Sequence, residues 1–213
     1  MTFNSRVGVV FLIAIAAVAC AANKPQPPNL TSGGAVLFSV HVEHAVKPEY
    51  APTELRLALL PEPPPRPKTF GEDVTEAYQH RFTPSQHDGA GTDFLVLIPA
   101  LPGAYKVIDL RGHASKFPII ATFELPVTGT VSVKQGQVMY LGRITAKTRA
   151  RRDGERRAGP VLPAIDQAVS GYASSTWDID VMDQRQTDVA AIQSQFPSLG
   201  TVETSTVLLQ REQ

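Results

Sequence analysis

The sequence predicts a mainly β fold, a single antiparallel sandwich with one short C-terminal helix. Three observations point there. Apolar and polar residues alternate over short runs, 18 prolines and 15 glycines punctuate the 213 residues, and no internal repeat is visible. The single cysteine also rules out an intramolecular disulfide, so packing alone must hold the domain together.

Residues 35–44, AVLFSVHVEH, place Val36, Phe38, Val40 and Val42 on one side and Ser39, His41 and Glu43 on the other. That is the period of a half-buried strand. Residues 53–61 repeat it with Leu55, Leu57 and Leu59 inward and Arg56 outward, until Pro61 and EPPPRPK stop the ladder. Residues 68–82 read as either helix or strand. A strand at 76–82, joined through TPSQHDGAGTD to a second at 94–99, makes a long hairpin. A Pro-Gly turn at 102–103 leads into alternation of Tyr105, Val107 and Asp109 against Lys106 and Ile108.

Further strands follow at 118–125, 129–133 and 137–146. The last is apolar on both faces, as a central strand would be. A mobile charged and Pro/Gly/Ser-rich loop is expected over 147–175. The strand at 176–183 then sets Trp177, Ile179 and Val181 inward against Asp178 and Asp180. Asp183 and Gln186 have the spacing of a capping box, and Val189, Ile192 and Phe196 share one helical face before Pro197. ETSTVLLQ, 203–210, supplies a final strand.

The N-terminus is organised differently. One basic residue, Arg6, precedes the uncharged, mostly apolar run Val7–Ala19, which is too short to span a bilayer of about 30 Å and has the proportions of a signal-peptide core. Ala17-Val18-Ala19-Cys20 resembles the lipobox of bacterial lipoproteins, except that alanine stands where leucine is commonest. The resemblance implies cleavage between Ala19 and Cys20 and acylation of Cys20. It also leans towards the outer membrane facing the periplasm, since Ala21 occupies the position of the aspartate that retains such proteins at the inner membrane. The other reading is an exported soluble protein with Cys20 as a free thiol. Residues 20–34 read as a lipidated cysteine with a flexible Pro/Gly tether, and 35–213 as the sandwich domain.

Two stretches inside the domain carry a second resemblance. Leu101, Pro102, Gly103, Tyr105 and Val107 match the hairpin of prealbumin-like or carboxypeptidase-regulatory-like domains of envelope proteins. Val131, Val133, Gly136, Tyr140 and Gly142 resemble a strand pair common in small bacterial lipoproteins. The resemblance implies a transthyretin/Ig-like sandwich that binds or scaffolds.

The chain has 20 basic and 20 acidic residues, so nothing calls for nucleic acid as a partner. The expected partners are a membrane, through the lipid anchor, and an envelope protein or polymer. No phosphate loop, dinucleotide fingerprint or nucleophile elbow occurs, and no cofactor is expected. In HVEH, His41 and Glu43 share a strand face while His44 points away, which does not suit a metal. HDGAGTD, 87–93, lacks the acidic spacing of a calcium loop. Arg149, Arg151, Arg152, Arg156 and Arg157 are candidates for contact with an anionic surface. The expectation is a non-enzymatic, lipid-anchored envelope protein that binds or scaffolds. The alternative is an envelope hydrolase, in which two or more of His41, His80, His87, His113, Asp178 and Asp180 would converge in a cleft.

Overall fold

The computed structural model describes residues 27–67, 69, 73–87, 91–161 and 167–212. Two sheets face each other over one apolar core. The first has the order β10-β9-β1-β5-β4, with β11 also pairing with β9. The second runs β12-β8-β6-β2-β3, with β7 also pairing with β6. In chain order the strands are β1 (Gly34–Glu43), β2 (Pro52–Pro61), β3 (Gln79–Phe82), β4 (Gln86–His87), β5 (Thr92–Ala100) and β6 (Gly103–Lys116). Then come β7 (Ile119–Glu124), β8 (Val127–Val133), β9 (Gln137–Ala150), β10 (Ser175–Met182), β11 (Glu203–Thr206) and β12 (Gln210–Arg211). Among the described residues the α-helices are α1 (Gln167–Ser170) and α2 (Arg185–Gln195), and no helix is long and apolar enough to cross a membrane.

The alternating rows meet as the sequence anticipates. Val36, Phe38, Val40 and Val42 of β1, Leu55, Leu57 and Leu59 of β2, and Trp177 and Ile179 of β10 all lie in the inter-sheet core. Most pairings are antiparallel, but β1 and β9 run parallel, as do β9 and β11.

Several elements depart from the sequence reading in pairing. Residues 76–82 split into a 3-10 turn, Glu76–Tyr78, and β3, which pairs with β2 and not with β5. The expected long hairpin is therefore a crossing from one sheet to the other, and β5 takes β4 and β1 as neighbours. The expected C-terminal strand also divides. β11 lies on the first sheet, Leu209 is buried in the core, and β12 joins the second sheet beside β8. β9 continues to Ala150, so residues 147–150 are strand and not loop.

The two longest strands each carry a bulge. In β6, Asp109 takes φ 61°, and the β2–β6 register shifts between Arg56 and Ala58. An aspartate tolerates this left-handed conformation better than most side chains do. In β9, Gly142 has φ 104°, and the β1–β9 register shifts between Leu37 and Ser39. A Cβ at Gly142 would stand 2.9 Å from Val181 Cγ1, so glycine is required by space as well as by backbone.

The outer face of the first sheet is covered by α2, and a second core forms there. Ala35, Leu37, Val138, Tyr140 and Ile192 are buried in it, with Val189 and Phe196 packed against them. The expected helical stripe is thus the docking face. The capping box is not formed: Asp183 Oδ1 accepts from Arg185 N at 2.9 Å, and the residue at the cap, Gln184, makes no side-chain capping bond. Asp188, which sequence periodicity passes over, is the polar pin of this core. Buried at 2 % exposure, it accepts 2.6 Å hydrogen bonds from Ser39 Oγ and Tyr140 Oη, and Arg143 Nη1 stands 3.7 Å from its other oxygen.

At one end of the main core, Phe123, Tyr172, Trp177 and His44 pack together. The His44 and Tyr172 centroids lie 4.3 Å apart and those of Phe123 and Trp177 5.7 Å apart. Trp177 Nε1 donates to Glu124 O at 2.8 Å and Tyr172 Oη to Tyr50 O at 2.9 Å. His44 Nε2 lies 2.8 Å from Ser170 O, which can only accept, so Nε2 carries the proton. Nδ1 then accepts from Lys47 N and Thr148 Oγ1. Burial pushes the His44 pKa down, partly offset by the bond to Ser170.

Two outcomes follow from these contacts. Asp188→Ala should destabilise the domain by about 1–3 kcal/mol for each hydroxyl it strands, with Ser39→Ala partly rescuing the loss; urea unfolding checks both. The second concerns pH. A lowered folded pKa means that the unfolded chain binds more protons below its ordinary value of about 6.5, so stability is full above that pH and is lost as pH falls. His80 and His113 are also held down, chiefly by burial, and act in the same direction. The melting temperature should drop between about pH 7 and pH 5. His44→Phe should lower it at pH 7 and flatten the acid slope.

Candidate functional site

Ala19 and Cys20, the expected cleavage and lipidation positions, lie outside the described residues. The arginine group is placed, and the side chains of Arg149, Arg151, Arg156 and Arg157 have partners within the chain. Arg149 makes a two-pronged bond to Glu155 at 2.8 and 2.7 Å and reaches Asp178 at 2.8 Å. Arg151 donates to Glu155 O, Arg156 pairs with Glu212 at 2.9 Å, and Arg157 donates to Ala173 O. The Arg152 backbone N donates to Glu155. The bonds from Arg149, then from Arg152 N, hold the Glu155 carboxyl down at about 2.

Of the residues that a hydrolase would gather, three share one sheet face, with His41 and Asp180 on either side of Thr145, and the other three lie elsewhere on the sandwich. His41, Asp178 and Asp180 lie on the outer face of the first sheet, where His41 Nδ1 meets Asp93 at 3.1 Å. His80 pairs across from the core residue Leu57, and His87 sits on the edge strand β4 beside Thr92. His113 is on the outer face of the second sheet. His44 is buried and fully bonded, as above. Among the described residues, no group of three or more His, Cys, Asp or Glu is placed to hold a metal ion.

The outer face of the second sheet holds a cleft of about 330 Å³. It is built by register. Arg56 on β2 has Arg81 of β3 as its cross-strand partner on one side and Arg111 of β6 on the other, and Arg111 in turn faces Glu124 of β7. One register step away, His113 stands between Glu54 and Thr122. Gln79 and Pro160 complete the rim. The Asp109 bulge decides this arrangement. Val107 points inward, and unbroken alternation would send 111 and 113 inward too. The extra residue instead turns Leu110 and Ala114 into the core and Arg111 and His113 outward.

Like charges directly opposite on neighbouring strands repel. Here two of the three arginines are compensated along their own strands: Glu54 binds Arg56 Nε, and Asp109 binds Arg111 Nη2. Burial pushes the Glu54 carboxyl up, but Arg56, with His113 and Arg81, outweighs it and holds the group below the usual carboxylate range. His113 Nδ1 is buried with no hydrogen bond, its nearest charged neighbour being Glu54 Oε1 at 3.4 Å. On the far wall, Gln167 ties the 151–161 segment to β7. Its Oε1 accepts from Thr122 N, and its Nε2 donates to Thr122 Oγ1 and Pro160 O at 3.1 and 3.0 Å.

Sequence periodicity marks Arg56 as outward and passes over Arg111 and Gln79. Their convergence depends on pairing among β3, β2, β6 and β7, for which no local signal exists.

No family model matches the chain, and no curated protein matches it. Among solved structures, a candidate cell adhesion protein from Bacteroides fragilis is similar at 10 % identity and a TM-score of 0.32. The likeness covers 71 % of this chain and 46 % of that one, so it takes in less than half the length of its neighbour.

Proposed function

We propose that this chain is a non-enzymatic, lipid-anchored protein of the bacterial cell envelope, a tethered binding module that holds an envelope polymer on the outer face of its second sheet. Acylation at Cys20, at the outer membrane facing the periplasm, follows from the lipobox resemblance. The observation that carries the binding role is the position of the Arg56–Arg111 cleft. The chain enters the sandwich at Gly34, which pairs with Ala100 at one end of β5, and the next turn leads to Gly103. Arg111 and His113 then lie roughly 25–30 Å further along β6, at about 3.3 Å per residue. Beyond them Phe117, 98 % exposed, forms the tip of the β6–β7 turn. A domain held by its N-terminus would thus present the cleft away from its anchor. The separation of His80, of His113, and of the His41, Asp178 and Asp180 group onto three different faces favours binding over hydrolysis.

Anchor and cleft are tested separately. Wild-type protein expressed with its own leader should fractionate with membranes and carry acyl chains on Cys20 by mass spectrometry. Cys20→Ser should be released or remain unprocessed, and an unacylated Cys20 in wild type would overturn the anchor. Detergent-extracted wild type should co-sediment with purified envelope polymer, while Arg56→Gln/Arg111→Gln stays folded and remains in the supernatant. Equal sedimentation of the two proteins, or none by wild type, would overturn the cleft as the binding surface.

A further inference from the structure

We infer that the cleft takes a neutral, polyhydroxylated ring, a saccharide unit of the polymer, and not an anion. This rests on the binding-module reading above and names its ligand. Three arginines in one row suggest an anion site at first sight. Their charge is already answered on the same face: Arg56, Arg81 and Arg111 stand among Glu54, Asp109 and Glu124, three against three, and Arg156 beside Glu124 is itself paired with Glu212. A carboxylate or phosphate arriving here would meet Glu124 on the lining, and Glu54 and Asp109, bound to the two lining arginines, reduce the field it would feel.

What the cleft does offer is a set of fixed donors and acceptors. A guanidinium has five N–H donors in a planar fork, and the carboxylates on their own strands bind Arg56 only through Nε and Arg111 only through Nη2. Gln79 supplies both a donor and an acceptor. Glu124 supplies carboxylate oxygens, since Arg156 comes no closer than 3.6 Å. Thr122 Oγ1, already accepting from Gln167, keeps its proton to donate. Vicinal hydroxyls, each one donor and two acceptors, match such an interleaved set. These groups are also preorganised: Arg56 and Glu54 are three-quarters buried and bonded to each other, and Gln167 fixes Thr122 and Pro160 together.

Size and surroundings agree. About 330 Å³ is near the lower end of ligand sites, which suits one ring of a longer chain. Pro160 gives an apolar edge for the C–H face of that ring. Ile120, 62 % exposed, lies two residues along β7 from Thr122 on the same face and extends the apolar ledge towards a neighbouring unit.

The test is calorimetric titration of the full-length protein in detergent with short neutral oligomers of glucose and of N-acetylglucosamine, beside oligogalacturonate and inorganic phosphate. A neutral oligomer should bind with an affinity that changes less than about twofold between low salt and ~0.5 M, where charge interactions are screened within a few ångströms. Thr122→Val and Gln79→Ala should each weaken it about tenfold or more. Gln79 sits at the rim, so its truncation tests the site without touching the core, and Trp177 emission controls for folding. Failure of every neutral oligomer to bind would overturn the inference, as would binding confined to galacturonate or phosphate and lost with salt. The two readings fail separately. If polymer sediments the wild type but neutral oligomers do not compete, the binding module stands and the saccharide falls. If oligomers bind while polymer does not sediment the protein, the ligand class stands and the polymer role falls.

Discussion

The left-handed backbone at Asp109 is the constraint on which the second sheet depends. β6 is 14 residues long and serves two partners, β8 over 103–107 and β7 over 111–116, and the bulge falls between the two. β9 repeats the device in the first sheet. It pairs with β11 over 137–140 and with β10 over 143–150, and Gly142 lies at the change. A strand whose neighbour is replaced partway must bend, and an inserted residue supplies the bend with extra twist. The insertion also flips the alternation. In β6 it turns Arg111 and His113 outward. In β9 it closes a stretch whose two faces feed two cores and opens one with Arg143 on the outer face.

That second core explains why β1 is buried on both faces. It lies between β5 and β9, and a sheet with Leu37 and Tyr140 on its outer side needs a cover. Helix α2 supplies it with few apolar residues, and this is where Asp188 matters. A carboxylate at 2 % exposure is costly unless bonded, and two hydroxyls from β1 and β9 bond it. Because both donors come from the sheet, the bond fixes the helix in register as well as in place. Apolar contact through Val189 and Ile192 alone would allow the helix to slide.

What was legible in the sequence followed from period, and what was hidden followed from pairing. The rows Val36–Val42, Leu55–Leu59 and Trp177–Val181 and the stripe Val189–Ile192–Phe196 were visible because alternation and helical spacing are local properties. The partner of β3 was not, since nothing local in residues 79–82 distinguishes the edge of β2 from that of β5. The C-terminal strand divided because Leu209 crosses through the core, with no glycine or proline to announce it. The Asp109 bulge was hidden for a related reason: an aspartate in the left-handed region looks in sequence like an ordinary polar strand position. Arg56 was visible as an outward residue, whereas the cleft needed four strands in register.

A chain with 20 basic and 20 acidic residues could balance its charge at a distance, with a positive face against a negative one. At several points on the described surface this one balances it locally. Arg149 is held by Glu155 and Asp178, Arg143 by Asp93, Lys147 by Glu43, and Arg56 and Arg111 by acids two residues away on their own strands. The more exposed of these pairs, such as Arg149–Asp178 and Arg111–Asp109, contribute little to stability, so their consequence is positional. Each fixes a long side chain in one direction and cancels its field beyond a few ångströms. Where charge is balanced this way, as at Arg56 and Arg111, little of it is felt at long range. A partner there is recognised through the directions of hydrogen bonds, so the donors of Arg56 and Arg111 that Glu54 and Asp109 do not take, and not their charge, define the cleft.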